Sequence, residues 1–247
     1  MDSLKQRELN LHSETSAYQK RINKAKEHVR KTFDRFEEPY VSFSGGKDST
    51  VLLCLIDSLG YEPDVFHFDW GARDIPGVEE HTREMCSKYC GELLYRSSER
   101  VGEEYVARDE HHGMAGIMGW VSTLGEERGW DAAMLGIRAE ESNDRRDQYD
   151  GVPPTSVDSD TPQTRVAPIH HLRTEDVWAY IVSNEIEYHE IYDKMSERLG
   201  RPIDHDENRL VTLYDTEFEH LGSLEVSQML YPGAANELKE VIQDYVS

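Results

Sequence analysis

Apolar side chains recur at Tyr18, Ile22, Ala25, Val29, Phe33 and Phe36, at intervals of three and four that mark one face of a helix. Ser16 with Gln19 three residues on reads as a capping box. The pattern therefore predicts a leading helix over 16–36, with Lys20, Arg21, Lys24, Lys31 and Arg35 on its polar face. After Glu37-Glu38-Pro39 the period changes. Short apolar runs at Tyr40–Ser44, Asp64–Trp70, Glu92–Arg96, Ala132–Arg138 and Arg165–Pro168 read as strands. Between and after them, 48–59, 76–90, 102–109, 115–128 and 174–184 read as helices, the first two closed by Gly60 and Gly91. Strand and helix alternate over 40–184, which predicts an α/β fold: a Rossmann-like parallel sheet with helices on both faces.

Two stretches break the alternation. Residues 139–163 hold seven acids, two arginines and three prolines among Ser/Thr/Asp-rich turns, the composition of a long mobile loop. From 185 onward alternation is weak, with a final helix expected near 234–245. The expected organisation is an N-terminal helical segment over 1–36, an α/β body over 37–195 and an irregular C-terminal extension over 196–247.

A chain of 247 residues with 37% hydrophobic side chains can bury a core, which excludes global disorder. The longest aliphatic run, Val51 to Ile56, is far short of the roughly 20 residues that cross a bilayer. The first residues lack the apolar core of a signal peptide, and three cysteines without repeating spacing make no disulfide framework. These features predict no membrane association and a reducing cytoplasm.

Charge changes the picture more. The net charge is −22, and the 27 basic residues divide into 18 Arg and nine Lys. Residues 1–36 carry nine basic and five acidic groups, so +4, leaving −26 for the rest. Such a body repels nucleic acid except at the basic leading helix. The acidic surface reads either as a partner surface or nucleic-acid mimic, or as adaptation to high salt. In molar salt a Debye length of about 3 Å suppresses self-repulsion. Dense acids with sparse lysine resemble proteins of salt-loving archaea and their viruses.

The sharpest chemical signal is Val41-Ser42-Phe43-Ser44-Gly45-Gly46-Lys47-Asp48-Ser49-Thr50-Val51. A strand feeds two glycines and small hydroxyl residues, then turns directly into an apolar-faced helix. That is the chemistry of an anion cradle: the glycines let backbone approach closely and unsatisfied N–H groups at the helix start face a phosphate. Lys47 adds a compact positive charge, and Ser44 and Ser49 add hydroxyl donors. A Walker A loop would need Gly at Val41 and Ser or Thr at Asp48, and the G-x-G-x-x-G dinucleotide spacing is missing.

The S-G-G-K-D-S run resembles the PP-loop of the ATP pyrophosphatase superfamily, with its adenine nucleotide alpha hydrolase-like fold. Gly136-Ile137-Arg138-Ala139-Glu140-Glu141-Ser142, followed by Arg145 and Arg146, resembles the G-I-R-x-x-E-S segment of the phosphoadenosine phosphosulfate (PAPS) reductase family. Pro168-Ile169 through Thr174-Glu175-Asp176-Val177-Trp178-Ala179-Tyr180-Ile181, with Tyr188 and Ile191-Tyr192-Asp193 after it, is similar to that family's P-I-x-x-W-T-x-x-D-V-W-x-Y-I segment. The three motifs stand in the family's order over about 38–195. Departures accompany them. The family tryptophan is Leu172 here, the G-C-x-x-C element is missing, and no cysteine follows Cys90, so the thiol nucleophile of sulfonucleotide reductases is absent.

The resemblance implies binding of ATP and Mg²⁺ by a PP-loop domain over 37–195, through Ser42, Ser44, Gly45, Gly46, Lys47, Asp48, Ser49, Phe68, Asp69 and Gly136. Asp48 and Asp69 would hold Mg²⁺, while Lys47, Asp48 and Arg138 would be catalytic. Arg138 with Arg145 or Arg146 would bind a small anionic acceptor such as sulfate, as planar guanidinium forks do. The intact Lys47-Asp48 pair resembles the ATP-cleaving branches, which implies cleavage between the α and β phosphates with release of pyrophosphate. The alternatives are a PAPS or adenylylsulfate reductase of sulfur assimilation, with a thiol from Cys86, Cys90 or another protein, and a silent nucleotide-binding protein in an assembly. A protein partner or homodimer fits the last. Cys86 and Cys90 with His81, and the pairs His111-His112 and His170-His171, are weaker candidates for metal or redox chemistry, against which stands simple burial.

If the acidic body is a high-salt surface, screening should stabilise the fold. The melting temperature is expected to rise steeply from dilute buffer to molar KCl. A flat or falling profile would favour the partner-surface reading.

Overall fold

The protein is represented by a computed structural model that describes residues 1–69, 77–97, 122–141, 147–149, 151–157 and 163–205, with Asp69 and Ser97 as backbone. Two helices lead, α1 (Ser3–Ser13) and α2 (Ser16–Arg35), followed by β1 (Pro39–Ser42), α3 (Lys47–Asp57), β2 (Val65–Asp69), α4 (Val78–Tyr89) and β3 (Leu93–Ser97). A helical stretch at 122–128 precedes β4 (Ala132–Leu135), a short 3-10 turn (Ala139–Glu141), β5 (Thr155–Val157) and β6 (Thr164–Val166). Then come α5 (Thr174–Ser183) and α6 (Ile191–Leu199). The predicted helix 102–109, the start of 115–128 and the final helix near 234–245 lie outside the described residues.

The strands form one sheet in the order β3-β2-β1-β4-β6-β5. All neighbours run parallel except β5, which pairs antiparallel with β6 at the edge. The sheet is mostly parallel, as the alternation predicts, with one antiparallel edge strand where part of the stretch read as loop returns as β5. Side-chain alternation gives the sheet two apolar faces. Val41, Val65, Ala132, Met134 and Val166 join one cluster with residues of α2, α3, α4, α5 and α6. Tyr40, Phe66, Phe68, Leu94 and Ala133 join a second with Leu124 and Trp130. Both faces are therefore covered.

Topology fixes where a ligand can sit. The chain steps from β1 to β2 to β3 in one direction, then returns to place β4 on the other side of β1. Between the carboxyl ends of β1 and β4 the connections diverge to opposite sides, leaving the crevice where open α/β sheets bind ligands.

The two leading helices are tied to the body by one buried acid. Asp176, in the first turn of α5, is fully buried and accepts from Arg21 Nε and Nη2 at 2.6 Å each, from His12 at 2.8 Å and from the Arg173 N–H at 2.9 Å. Arg21 therefore faces α5, not solvent with the rest of the basic stripe. The cap of α2 is Thr15, whose hydroxyl accepts the Tyr18 N–H at 3.3 Å, one residue before the expected Ser16. Helix α1 buries only Leu9, too little to mark a period in the sequence, and adds a second helix to the expected N-terminal helical segment. Among the described residues no helix is long and apolar enough to cross a membrane.

Three imidazoles pack where α2 meets the segment after β6. His28 and His171 lie edge to face at 5.2 Å, His170 and His171 at 6.0 Å, and His171 Nε2 donates to the Arg21 carbonyl at 2.9 Å. Burial pushes the His171 pKa down to about 4, so the folded state holds it neutral at neutral pH. An unfolded chain takes up that proton near pH 6.5. The stability from the neutral ring is whole above that value and is lost as pH falls toward about 4, on the order of 3 kcal/mol. His171→Gln should flatten the melting temperature over this window. Asp176→Asn should lower stability by roughly 2–3 kcal/mol at pH 7 by leaving Arg21 unpaired. Thermal unfolding across pH checks the first and chemical denaturation at pH 7 the second.

Candidate functional site

Lys47 opens α3, and the strand before it ends at Ser42, two residues short of the expected end, because the chain must turn. Gly45 makes that turn with φ +75°, a left-handed conformation that favours glycine. Gly46 is the helix cap and carries no side chain to satisfy the first-turn amides. The loop closes on itself through hydroxyls. Ser49 Oγ accepts the Ser44 N–H at 3.3 Å and donates to the Gly46 carbonyl at 3.0 Å, and Ser44 Oγ accepts the Gly46 N–H at 3.3 Å. The first-turn amides of Asp48 and Ser49 have no intrahelical acceptor, as at any helix start. They face the crevice end of an eleven-residue helix, whose dipole favours an anion there.

The second wall comes from β4. Gly136 follows it directly, and a Cβ there would stand 2.6 Å from Ser49 N and 2.8 Å from Ser49 Cα. Only a bare backbone lets the strand end pack on the start of α3. That contact ends β4 at Leu135, short of the expected Arg138, and aims the next residues into the crevice.

Arg138 and Lys47 are both about 1% exposed, and they meet at Asp48. Lys47 Nζ lies 2.9 Å from Asp48 Oδ2, and Arg138 Nε donates to Asp48 Oδ1 at 2.6 Å. Burial favours the neutral acid, but the Arg138 and Lys47 charges outweigh it and hold the Asp48 pKa down at about 2. Arg138 also donates through Nη1 to Glu140 Oε2 at 2.9 Å and to Thr174 Oγ1 at 3.0 Å, while Nη2 lies 3.8 Å from Glu141. Glu140 accepts the Thr174 N–H at 2.6 Å, so it caps α5 as well. The two later motifs thus converge on the loop through one guanidinium. Arg138 is a buried hub among carboxylates, not an open fork.

Of the other predicted site residues, Ser42 ends β1 beside the loop, and Phe68 is buried in the second apolar cluster. Asp69 ends β2 at the same sheet edge, one strand over. Its side chain, Ser142, Arg145 and Arg146 lie outside the described residues. Tyr192 of α6, to which the sequence motifs assign no role, accepts the Lys47 N–H with its hydroxyl at 2.9 Å. Helix α6 falls in the stretch read as weakly alternating; the spacing of Ile191, Tyr192 and Met195 is the signal that could have marked it.

Asp48 is chemically suited to Mg²⁺, being an ionised hard-oxygen ligand, and each oxygen keeps a lone pair beside its cation. Among the described residues no group of three or more metal-ligating side chains gathers. His111-His112 is outside them. Cys86 is buried, and Cys90 donates to its carbonyl at 3.0 Å. Cys86 is in the last turn of α4 and Cys90 caps that helix, just ahead of β3, at the amino edge of the parallel strands. The loop is at the carboxyl edge, so neither thiol adjoins it.

Residues 38–229 match the family model of the phosphoadenosine phosphosulfate reductase domain. An uncharacterized protein of Methanocaldococcus jannaschii is 27% identical over 184 residues, covering 70% of this chain and 37% of that protein. The chain thus spans well under half the length of this relative. The fold is similar to the crystal structure of phosphoadenylyl-sulfate (PAPS) reductase from Candida auris in a phosphate complex, with a TM-score of 0.52 and 18% identity over 78% of this chain and 92% of that one. The NH3-dependent NAD synthetase of Campylobacter jejuni aligns with a TM-score of 0.47 and 12% identity, over 93% of this chain and 95% of that one.

Gly136→Ala is expected to destabilise the protein by about 1–3 kcal/mol, since the atoms it would meet are backbone and cannot rotate away. Thermal unfolding of the variant checks this; an unchanged melting temperature would show that the β4 end has room the packing denies.

Proposed function

The chain belongs to the phosphoadenosine phosphosulfate reductase domain family, and from that membership we propose that it is a nucleotidyltransferase acting on ATP. The loop from Ser42 to Ser49 would hold the phosphate chain, and an anionic acceptor such as sulfate would attack the α-phosphorus. A bond forms between acceptor oxygen and α-phosphorus as the bond to the bridging oxygen breaks, and pyrophosphate leaves with the electron pair. The observation that carries the reading is a buried lysine and a buried arginine meeting at the start of α3, in the crevice at the switch point of the sheet.

Each residue has a part. Backbone N–H groups of the loop and the Lys47 ammonium would stabilise charge that builds on the leaving pyrophosphate. Mg²⁺, held by Asp48 and Asp69, would neutralise the phosphates when bound. Arg138 would set positive potential at the acceptor side; Glu140, 40% exposed, is the carboxylate an incoming anion would displace from it. Gly136 would let the nucleotide lie against the backbone of β4, and Phe68 and Asp69 would border it on the β2 side.

A reductase needs an accessible thiol of low pKa beside the nucleotide. Cys54 is pushed up to about 12 by burial and Cys86 is raised by its hydrogen bond with Cys90 and by burial, while Cys90, which that hydrogen bond lowers, sits at the opposite sheet edge from the loop. This favours adenylyl transfer over sulfonucleotide reduction.

Lys47→Ala with Asp48→Asn should weaken ATP·Mg²⁺ binding at least about tenfold, roughly the loss of one charge-assisted contact. With a competent acceptor the product should be pyrophosphate, and labelled pyrophosphate should exchange into ATP. Calorimetry and the exchange assay check these. Orthophosphate as first product, or sulfite formed from PAPS in the presence of thioredoxin, would overturn the assignment.

A further inference from the structure

Lys47 is doubly constrained by one residue of α6. Its backbone N–H, the first of α3, donates to the Tyr192 hydroxyl at 2.9 Å, and its ammonium stands 5.7 Å from the centre of the same ring. That separation is within the roughly 6 Å reach of a cation–π contact. Tyr192 is itself held. It is 1% exposed and lies edge-on to Trp178 at 5.3 Å and to Tyr188 at 6.4 Å. Tyr188 donates to Asp193 at 3.0 Å, which sets the first turn of α6.

A buried lysine with four rotatable bonds has many orientations, and one ion pair with its neighbour Asp48 does not choose among them. The ring beneath the ammonium and the phenol on the amide do choose. We propose that Tyr192 is a positioning residue that presents the Lys47 ammonium to the polyphosphate of the bound nucleotide. The inference rests on the loop's nucleotide-binding role proposed above. With the Lys47 N–H taken by the phenol and the Gly46 N–H by Ser44, the first-turn amides directed at the phosphate are those of Asp48 and Ser49.

The test compares Tyr192→Phe, Tyr192→Leu, Lys47→Ala and the double variant Tyr192→Leu/Lys47→Ala, using ATP·Mg²⁺ and inorganic pyrophosphate as calorimetric probes. Tyr192→Phe keeps the ring and should weaken binding about two- to tenfold, the loss of one hydrogen bond. Tyr192→Leu should weaken it further, by about tenfold or more. In the Lys47→Ala background Tyr192→Leu should add less than about threefold, because the two act through the same ammonium. Full additivity would make Tyr192 a packing residue only and overturn the proposal. The second readout needs no ligand: in the free protein the Lys47 amide should exchange hydrogen at least about tenfold faster in Tyr192→Phe, with the amides of Leu52 and Leu53 unchanged. If neither probe binds the wild type, the loop reading fails and with it the link to nucleotide; unchanged Lys47 exchange overturns the positioning role by itself.

Discussion

Two cations withdrawn from water must be given an anion, and the carboxylate of Asp48 is where Lys47 and Arg138 find theirs. The cost of burying either charge alone runs to several kcal/mol. The loop after β1 and the segment after β4 therefore share one counter-ion, so each stabilises the buried charge of the other. The same guanidinium reaches Glu140 and Thr174, so the start of α5 is fixed by the same event. Three segments far apart in sequence become one electrostatic unit.

That unit stands where the sheet order makes a crevice. Parallel pairing of β1 with β4 sets Ser42 beside Leu135, so the loop and Gly136 leave the sheet side by side. The absence of a side chain at Gly136 then brings the two segments into contact. An acidic chain thereby gathers two cations at one buried point and balances them with Asp48, Glu140 and Glu141, in low-dielectric surroundings where charges interact more strongly than in water.

Support for the unit comes from outside the α/β layers. Helix α6 supplies Tyr192 to the amide of Lys47, and α5, which carries Thr174 against Arg138, is braced by α1 and α2 through Asp176. The leading helices are thus one step removed from the site. Arg21 shows the change in meaning that tertiary contacts bring: by period it belongs to a solvent-facing basic stripe, and by partner it is a structural cation.

Local information settled much of this protein. Two-residue and three-to-four-residue periods announced most strands and helices, because each element buries one face and its spacing is a property of the backbone. Glycines and small hydroxyls between a strand and a helix announced the loop, since those residue types are required there by conformation. What stayed hidden was whatever depends on partners distant in sequence. Helix α1, with one buried residue, has no periodic signature; β5 is a strand only because β6 offers it an edge; and the same chain chemistry that suggests an anion fork at Arg138 yields a buried hub once three carboxylates surround it. The fold class and the position of the loop follow from residue order alone, through short-range sterics and hydrophobic period. Which charges neutralise one another, and that Tyr192 closes on Lys47, follow from the folded arrangement, because pairing depends on through-space distance between residues as far apart in sequence as Arg21 and Asp176, 155 positions.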